Sequence, residues 1–223
     1  ELAARKAIEL KPDLAESHSN LGNILSDLGE LKEAELLYRK AIELNPNYAE
    51  AHSNLGNILR DLDNLREAEL AARKAIEINP NFADAHLNLG SILNELGKLQ
   101  EAELSYRKAI ELNPNFGEAH YNLGNILSHL GKSEELLLLS KLTLEASSIN
   151  QVYQLLALLR ITINNLLKGD FSELLFNINK IKKFITKGAV KNIKNKKNKK
   201  YFLSFFLFIT SLYPLLEKRS KNL

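Results

Sequence analysis

Four histidines recur at a fixed spacing of 34 residues: His18, His52, His86 and His120. Histidine suggests a metal centre or general-base chemistry. However, equivalent residues of successive packed helices lie roughly 10 Å apart, and zinc requires ligands at about 2 Å. The spacing therefore predicts a packing role for all four, and no metal site. A second set repeats with the same period at offsets 0, +4, +7 and +11, which fall on one helical face. It reads Glu16, Asn20, Asn23, Asp27, then Glu50, Asn54, Asn57, Asp61, then Asp84, Asn88, Ser91, Glu95, and finally Glu118, Asn122, Asn125, His129. An Asn side chain offers both donor and acceptor, the complement of a peptide backbone. The candidate peptide-binding residues are Asn20, Asn23, Asn54, Asn57, Asn88, Asn122 and Asn125, with Glu50, Asp61, Asp84 and Glu95 supplying charge. No paired carboxylates, Ser/His/Asp set or phosphate loop occurs at a specific spacing, so the chain is expected to have no catalytic residues and no cofactor.

The elements that must position this stripe are legible in the punctuation. Pro12, Pro46, Pro80 and Pro114 share the 34-residue period, the signature of one supersecondary unit stacked on copies of itself. Each unit reads as two helices joined by a tight turn. In residues 47–80, Asn47 and Glu50 have capping-box spacing, repeated as Asp13/Glu16, Asn81/Asp84 and Asn115/Glu118. Leu55, Ile58, Leu59 and Leu62 mark one apolar helical face. A turn at Asp63-Asn64 aligns with Gly29, Gly97 and Gly131, and a second helix runs from Leu65 to Ile78 before Pro80 ends it. Gly22, Gly56, Gly90 and Gly124 in the first helices permit close helix approach. So do Ala34, Ala41, Ala68, Ala75, Ala102 and Ala109 in the second.

The pattern Leu55-Gly56, Ala68, Ala75, Pro80 resembles the tetratricopeptide repeat (TPR), a 34-residue helix–turn–helix. The resemblance covers residues 1 to about 146: half a unit, three good units and a fourth in which Leu136 and Thr143 stand where alanine is expected. The run Leu136 to Leu139 is expected to pack against the helices that follow. The resemblance implies an all-α, right-handed solenoid of antiparallel helix pairs with a C-terminal helical cap. It also places the polar stripe in a concave groove, and the histidines where the repeat carries a large aromatic. The stripe is similar to the asparagine ladder of the TPR arm of O-linked N-acetylglucosamine transferase. Carboxylate-clamp repeats differ, because Ser19, Ser53, Leu87 and Tyr121 stand where those carry lysine.

Charge divides the chain. Residues 1–150 hold 15 Lys/Arg against 24 Asp/Glu, a net of −9, while residues 151–223 hold 15 against 3, a net of +12. There is no cysteine, so disulfides and thiolate sites are excluded. The chain opens on the second half of a repeat and reads as part of a longer protein. The domains expected are the array at 1–146, capping helices at 147–187, and a basic linker plus apolar helix at 188–223. One capping helix is expected at 150–167 and another at 171–186. The run at 201–216 is uncharged but shorter than the roughly 20 residues of a spanning helix. It is expected to be buried in protein or to touch a membrane peripherally, on an otherwise cytoplasmic protein. The Lys-rich 187–200 segment lacks interleaved aromatics, so nucleic acid is not an expected partner; it is instead expected to compete for the acidic groove. The sequence leaves the oligomeric state open. The function expected is a scaffold that binds extended peptide segments, basic or recognised by their backbone. The alternative is the substrate-recruiting arm of a transferase whose catalytic domain follows residue 223.

Overall fold

The computed structural model describes residues 1–145, 151–168, 173 and 176–181, and these contain no strand. The helices are α1 (Leu2–Leu10), α2 (Ala15–Leu28), α3 (Leu31–Leu44), α4 (Ala49–Asp61), α5 (Leu65–Ile78), α6 (Ala83–Glu95), α7 (Leu99–Leu112), α8 (Gly117–His129), α9 (Ser133–Glu145) and α10 (Gln151–Lys168). Residues 176–181 are also helical. The chain forms two compact units that divide between Pro114 and Asn115. The expected segments 146–150 and 182–223, including the Lys-rich run and the apolar stretch 201–216, lie outside the described residues.

In the first unit, α1 is the lone second helix of a half repeat, followed by the pairs α2/α3, α4/α5 and α6/α7. The alanines explain how closely the pairs pack: Ala34, Ala41, Ala68, Ala75, Ala102 and Ala109 are all 0 % exposed. Between them sit the larger apolar residues Leu25, Ile58, Leu59, Ile92 and Leu93. The turn inside each pair needs a left-handed residue, supplied by Gly29 (φ 85°), Asp63 (φ 62°) and Gly97 (φ 74°). First helices touch each other directly, α2 with α4 and α4 with α6. The second helices are bridged by long side chains: Arg5–Glu33 at 2.8 Å, Arg39–Glu67 and Arg73–Glu101 at 2.7 Å, and Lys98–Glu69 at 2.8 Å. The first helices therefore line the inner side of this unit.

The capping boxes do not form. The residues preceding the first helices are Leu14, Tyr48 and Phe82, and none of these helices has a side-chain cap bond. The linker asparagines act earlier: Asn45 Oδ1 accepts from the Asn47 amide and Asn79 Oδ1 from the Asn81 amide, both at 3.1 Å. These bonds fold the chain around Pro46 and Pro80 before the helix starts.

The salt-bridge ladder has a measurable pH signature. Burial alone would raise the Glu69 carboxyl, but hydrogen bonds from Lys98 and Arg73 outweigh it and hold it below the usual carboxylate range. A depressed folded pKa stabilises the fold above the unfolded value of about 4.3, and the contribution is lost as pH falls through the folded value. Glu69→Gln should therefore lower Tm by about 2–4 °C at pH 7. The gap to the parent should close as the pH falls through the folded value. Melting curves across pH test this, and a gap that persists in acid would contradict it.

In the second unit, α10 packs on both α9 and α8. Its buried residues include Ala157, Leu158, Leu159 and Ile161, while Ile163 is 40 % exposed. The helix occupies Gln151–Lys168, within a residue of the expected span. Ile178 and Ile181 are also buried. The expected second capping helix is otherwise outside the described residues. In α9, Leu136 and Leu137 face a cavity shared with α10. Leu138 instead is 60 % exposed, so only part of the leucine run packs inward. No helix among the described residues is long and apolar enough to cross a membrane.

Candidate peptide-binding face

The histidines hold the turns between units. Nε2 of His18 donates to the Pro12 carbonyl at 2.8 Å, and His52 and His86 donate to Pro46 and Pro80 at 3.0 Å. A ring one helical turn inside the first helix thus ties down the proline carbonyl that precedes it. In the second unit, His120 Nδ1 lies 3.0 Å from the Thr143 hydroxyl, where earlier units have alanine. No group of three potential metal ligands occurs among the described residues.

The polar stripe is built on the inner side of α2, α4 and α6, and part of it is engaged internally. Asn23 Oδ1 accepts from the Tyr38 hydroxyl at 2.7 Å and from Asn54 Nδ2 at 2.9 Å. Asn88 Nδ2 donates to the buried Ser53 hydroxyl at 3.0 Å. Tyr106 donates to Ser91 at 3.2 Å, as Tyr38 does to Asn23. Asn54 and Asn88 therefore link neighbouring first helices through their amides, leaving their Oδ1 atoms as free acceptors. Asn20 and Asn57 make no hydrogen bond among the described residues and keep both groups available. Asn57 is free because Ala72 replaces the tyrosine found at Tyr38 and Tyr106. In the second unit Asn122 is likewise unengaged, but Asn125 Oδ1 accepts from Arg160 of α10 at 2.6 Å.

The acids divide similarly. Arg60 binds Asp61 at 2.8 Å and reaches Glu95 at 3.6 Å, so these two carboxylates share one guanidinium between α4 and α6, which offsets one of their two charges. Glu16, Asp27, Glu50 and Asp84 are exposed and have no cation within salt-bridge distance among the described residues. Their field is felt locally: burial first, then Asp27 and Glu50, push the Tyr38 hydroxyl well above its ordinary value. The Tyr48 hydroxyl rises for the same two reasons, burial and then Glu50.

Three features were missed in the sequence. Tyr38 and Tyr106 follow the helix glycines by 16 residues, a spacing the repeat makes visible. Arg160 stands as the single cation within an otherwise uncharged stretch of α10, which was its signal. Leu36, Leu70 and Leu104 also recur at 34 and are 67, 69 and 67 % exposed on the second helices, away from the polar stripe.

The comparisons with known proteins agree with this architecture. A model described as TPR repeat matches residues 22–63 and 90–131, and two models of the tetratricopeptide repeat match 49–82 and 71–103. Residues 22–131 are tetratricopeptide repeats. Among solved structures, YrrB, described as a TPR protein with an unusual peptide-binding site, is 26 % identical with a TM-score of 0.62, over 86 % of this chain and 98 % of that one. MamA is 29 % identical with a TM-score of 0.58, over 64 % and 84 %. The first TPR of Spaghetti, solved with a peptide of HSP90, is 27 % identical with a TM-score of 0.51, over 52 % and 93 %. No curated protein sequence matches the chain. The all-α TPR fold implied by the repeats is thus the fold of residues 22–131.

Proposed function

We propose that the inner face of α2, α4 and α6 binds an extended, basic peptide segment, recognised largely through its backbone. The observation that carries this is the division of the stripe. Asn54 and Asn88 present bare Oδ1 acceptors at equivalent places, Asn20 and Asn57 present complete amides, and Glu16, Asp27, Glu50 and Asp84 are acids without cations. Peptide N–H groups complement the acceptors, and Lys or Arg side chains complement the acids. That YrrB has a peptide-binding site and that the Spaghetti TPR was solved with a peptide supports the same class of ligand.

Magnitudes limit the affinity. A net hydrogen bond is worth about 0.5–1.5 kcal/mol, so a few of them leave little after the cost of association. Micromolar or weaker binding is expected for a short peptide. The Asn20→Ala/Asn57→Ala double variant should weaken it about tenfold, since roughly 1.4 kcal/mol is a decade. The melting temperature should not change, because neither side chain has a protein partner. Titration calorimetry with a Lys-Ala alternating peptide, its Glu-Ala counterpart and a backbone N-methylated version tests the assignment. The Lys peptide should bind best, and N-methylation should abolish binding. Equal affinity for the N-methylated peptide would refute backbone recognition, and preference for the Glu peptide would refute the charge assignment.

A further inference from the structure

In α2/α3 and α6/α7 the helix glycine is covered by a tyrosine of its own pair, Gly22 by Tyr38 and Gly90 by Tyr106. In α4/α5 the same place holds Ala72. In α8/α9 it is Ser140, and the space beside Gly124 is taken by the Arg160 guanidinium from α10. Beside Ser140 and Arg160 lies a cavity of about 280 Å³. Its polar lining includes Arg160, Ser140, Asn125 and Asn164, and its apolar wall is Leu136, Leu137 and Ile163.

Two polar groups there are incompletely satisfied. Arg160 Nη2 donates to the Tyr121 carbonyl at 3.0 Å and to Asn125 Oδ1 at 2.6 Å. A guanidinium has five donors, so those on Nε and Nη1 have no acceptor among the described residues. No carboxylate pairs with it there either; its cationic face rests on the Tyr121 ring, 4.9 Å from the centroid. Ser140 is 1 % exposed, and its Oγ has no hydrogen-bond partner. A half-buried charge without a counter-ion is costly, and burial lowers the Arg160 pKa from its ordinary value. A carboxylate is the group whose two oxygens match the guanidinium fork.

We propose that the cavity enclosed by α8, α9 and α10 binds a carboxylate carried on a short aliphatic chain, with Arg160 as counter-ion and Ser140 as an additional hydrogen-bond donor. The volume fits this class. It greatly exceeds the 10–15 Å³ that holds one water, yet lies just below the roughly 300–1,000 Å³ of sites for drug-sized ligands. Leu136, Leu137 and Ile163 provide the surface for the aliphatic carbons. The site lies wholly in the second unit and is independent of the peptide-binding face of α2, α4 and α6.

The test uses the whole chain with ¹⁵N-labelled arginine, following the Arg160 Nε–H resonance. Four probes are titrated: glutarate, a neutral hexapeptide ending in leucine with a free C-terminus, its C-terminal amide, and that amide with one internal Glu. At least one carboxylate probe should shift the resonance saturably, and the uncharged amide should not. Saturation by glutarate assigns the site to free acids, by the free terminus to chain ends, and by the Glu peptide to side chains. Arg160→Gln should weaken the best probe at least tenfold. Ser140→Tyr, which introduces the ring found in α2/α3 and α6/α7, should block it with an unchanged helical circular dichroism spectrum, while Asn20→Ala/Asn57→Ala leaves it intact. If no carboxylate gives a saturable shift, or if the uncharged amide binds equally well, the cavity is not a carboxylate site. That comparison needs only the parent protein, so it stands even if a variant fails to fold. Unchanged affinity in Arg160→Gln would also overturn the assignment.

Discussion

Gly90→Ala destabilises the first unit by about 1–3 kcal/mol, the usual cost of overpacking, and the loss disappears when Tyr106 is also changed to alanine. A Cβ at Gly90 would lie 2.7 Å from Tyr106 Cε1, inside any real carbon–carbon contact. The ring cannot yield, because Tyr106 is 2 % exposed and its hydroxyl is bonded to Ser91. Tyr106→Ala alone should cost about 3–5 kcal/mol, as for other large aromatics in a core. In that background the space beside residue 90 is open and the added methyl should be neutral or stabilising. The interaction term of the double-mutant cycle is therefore large and of opposite sign to the single changes. Gly56→Ala gives the contrast. Its Cβ would meet the backbone, Ala68 O at 3.2 Å and Ala72 N at 3.3 Å, so no second side-chain change relieves it. Urea unfolding of the four variants around Gly90 and Tyr106 measures the cycle. Additive losses would show that the glycine and the ring do not share one space.

Glu16, Asp27, Glu50 and Asp84, changed together to glutamine, reduce affinity for the Lys-Ala peptide about a hundredfold or more at low ionic strength. Exposed pairs contribute at most about 1 kcal/mol each, so four together approach the two decades that 2.7 kcal/mol represents. The loss shrinks in high salt, where the Debye length falls to about 3 Å at 1 M. Stability should hold or rise slightly, since none of the four carboxylates has a cation partner within the described fold and their mutual repulsion is removed. The Asp61→Asn/Glu95→Gln double variant is the control. Arg60 already pairs with both carboxylates and offsets one of their two charges, so removing them should change peptide affinity less and stability more. If the two variants weaken binding equally, the free acids are not the attractive group. Titrations at two salt concentrations separate the cases.

The 34-residue period by itself determined the family and the helix pairs. Leu65–Ile78 was read to the residue, because Pro80, the left-handed turn at Asp63 and the buried alanines are local requirements that any copy must meet. The polar stripe was also legible, since offsets of 4, 7 and 11 return to one helical face whatever lies opposite. The partners of that stripe were not legible. Whether Asn57 is free and Asn23 engaged depends on Tyr38 in one pair and Ala72 in the next, side chains that reach across from a different helix. The capping-box expectation failed for a related reason: Asn45 and Asn79 take up the turn amides first, and the cap positions fall one residue beyond the predicted ones. Nor was it legible that Arg60, adjacent to Asp61 in sequence, also spans to Glu95 on the neighbouring first helix and offsets part of the charge of the stripe. In α8/α9 the loss of alanine and tyrosine marked a departure from the repeat. Only the tertiary structure showed that α10 fills the resulting space with Arg160, because a pattern within one helix records which face is apolar but not which distant charge packs against it.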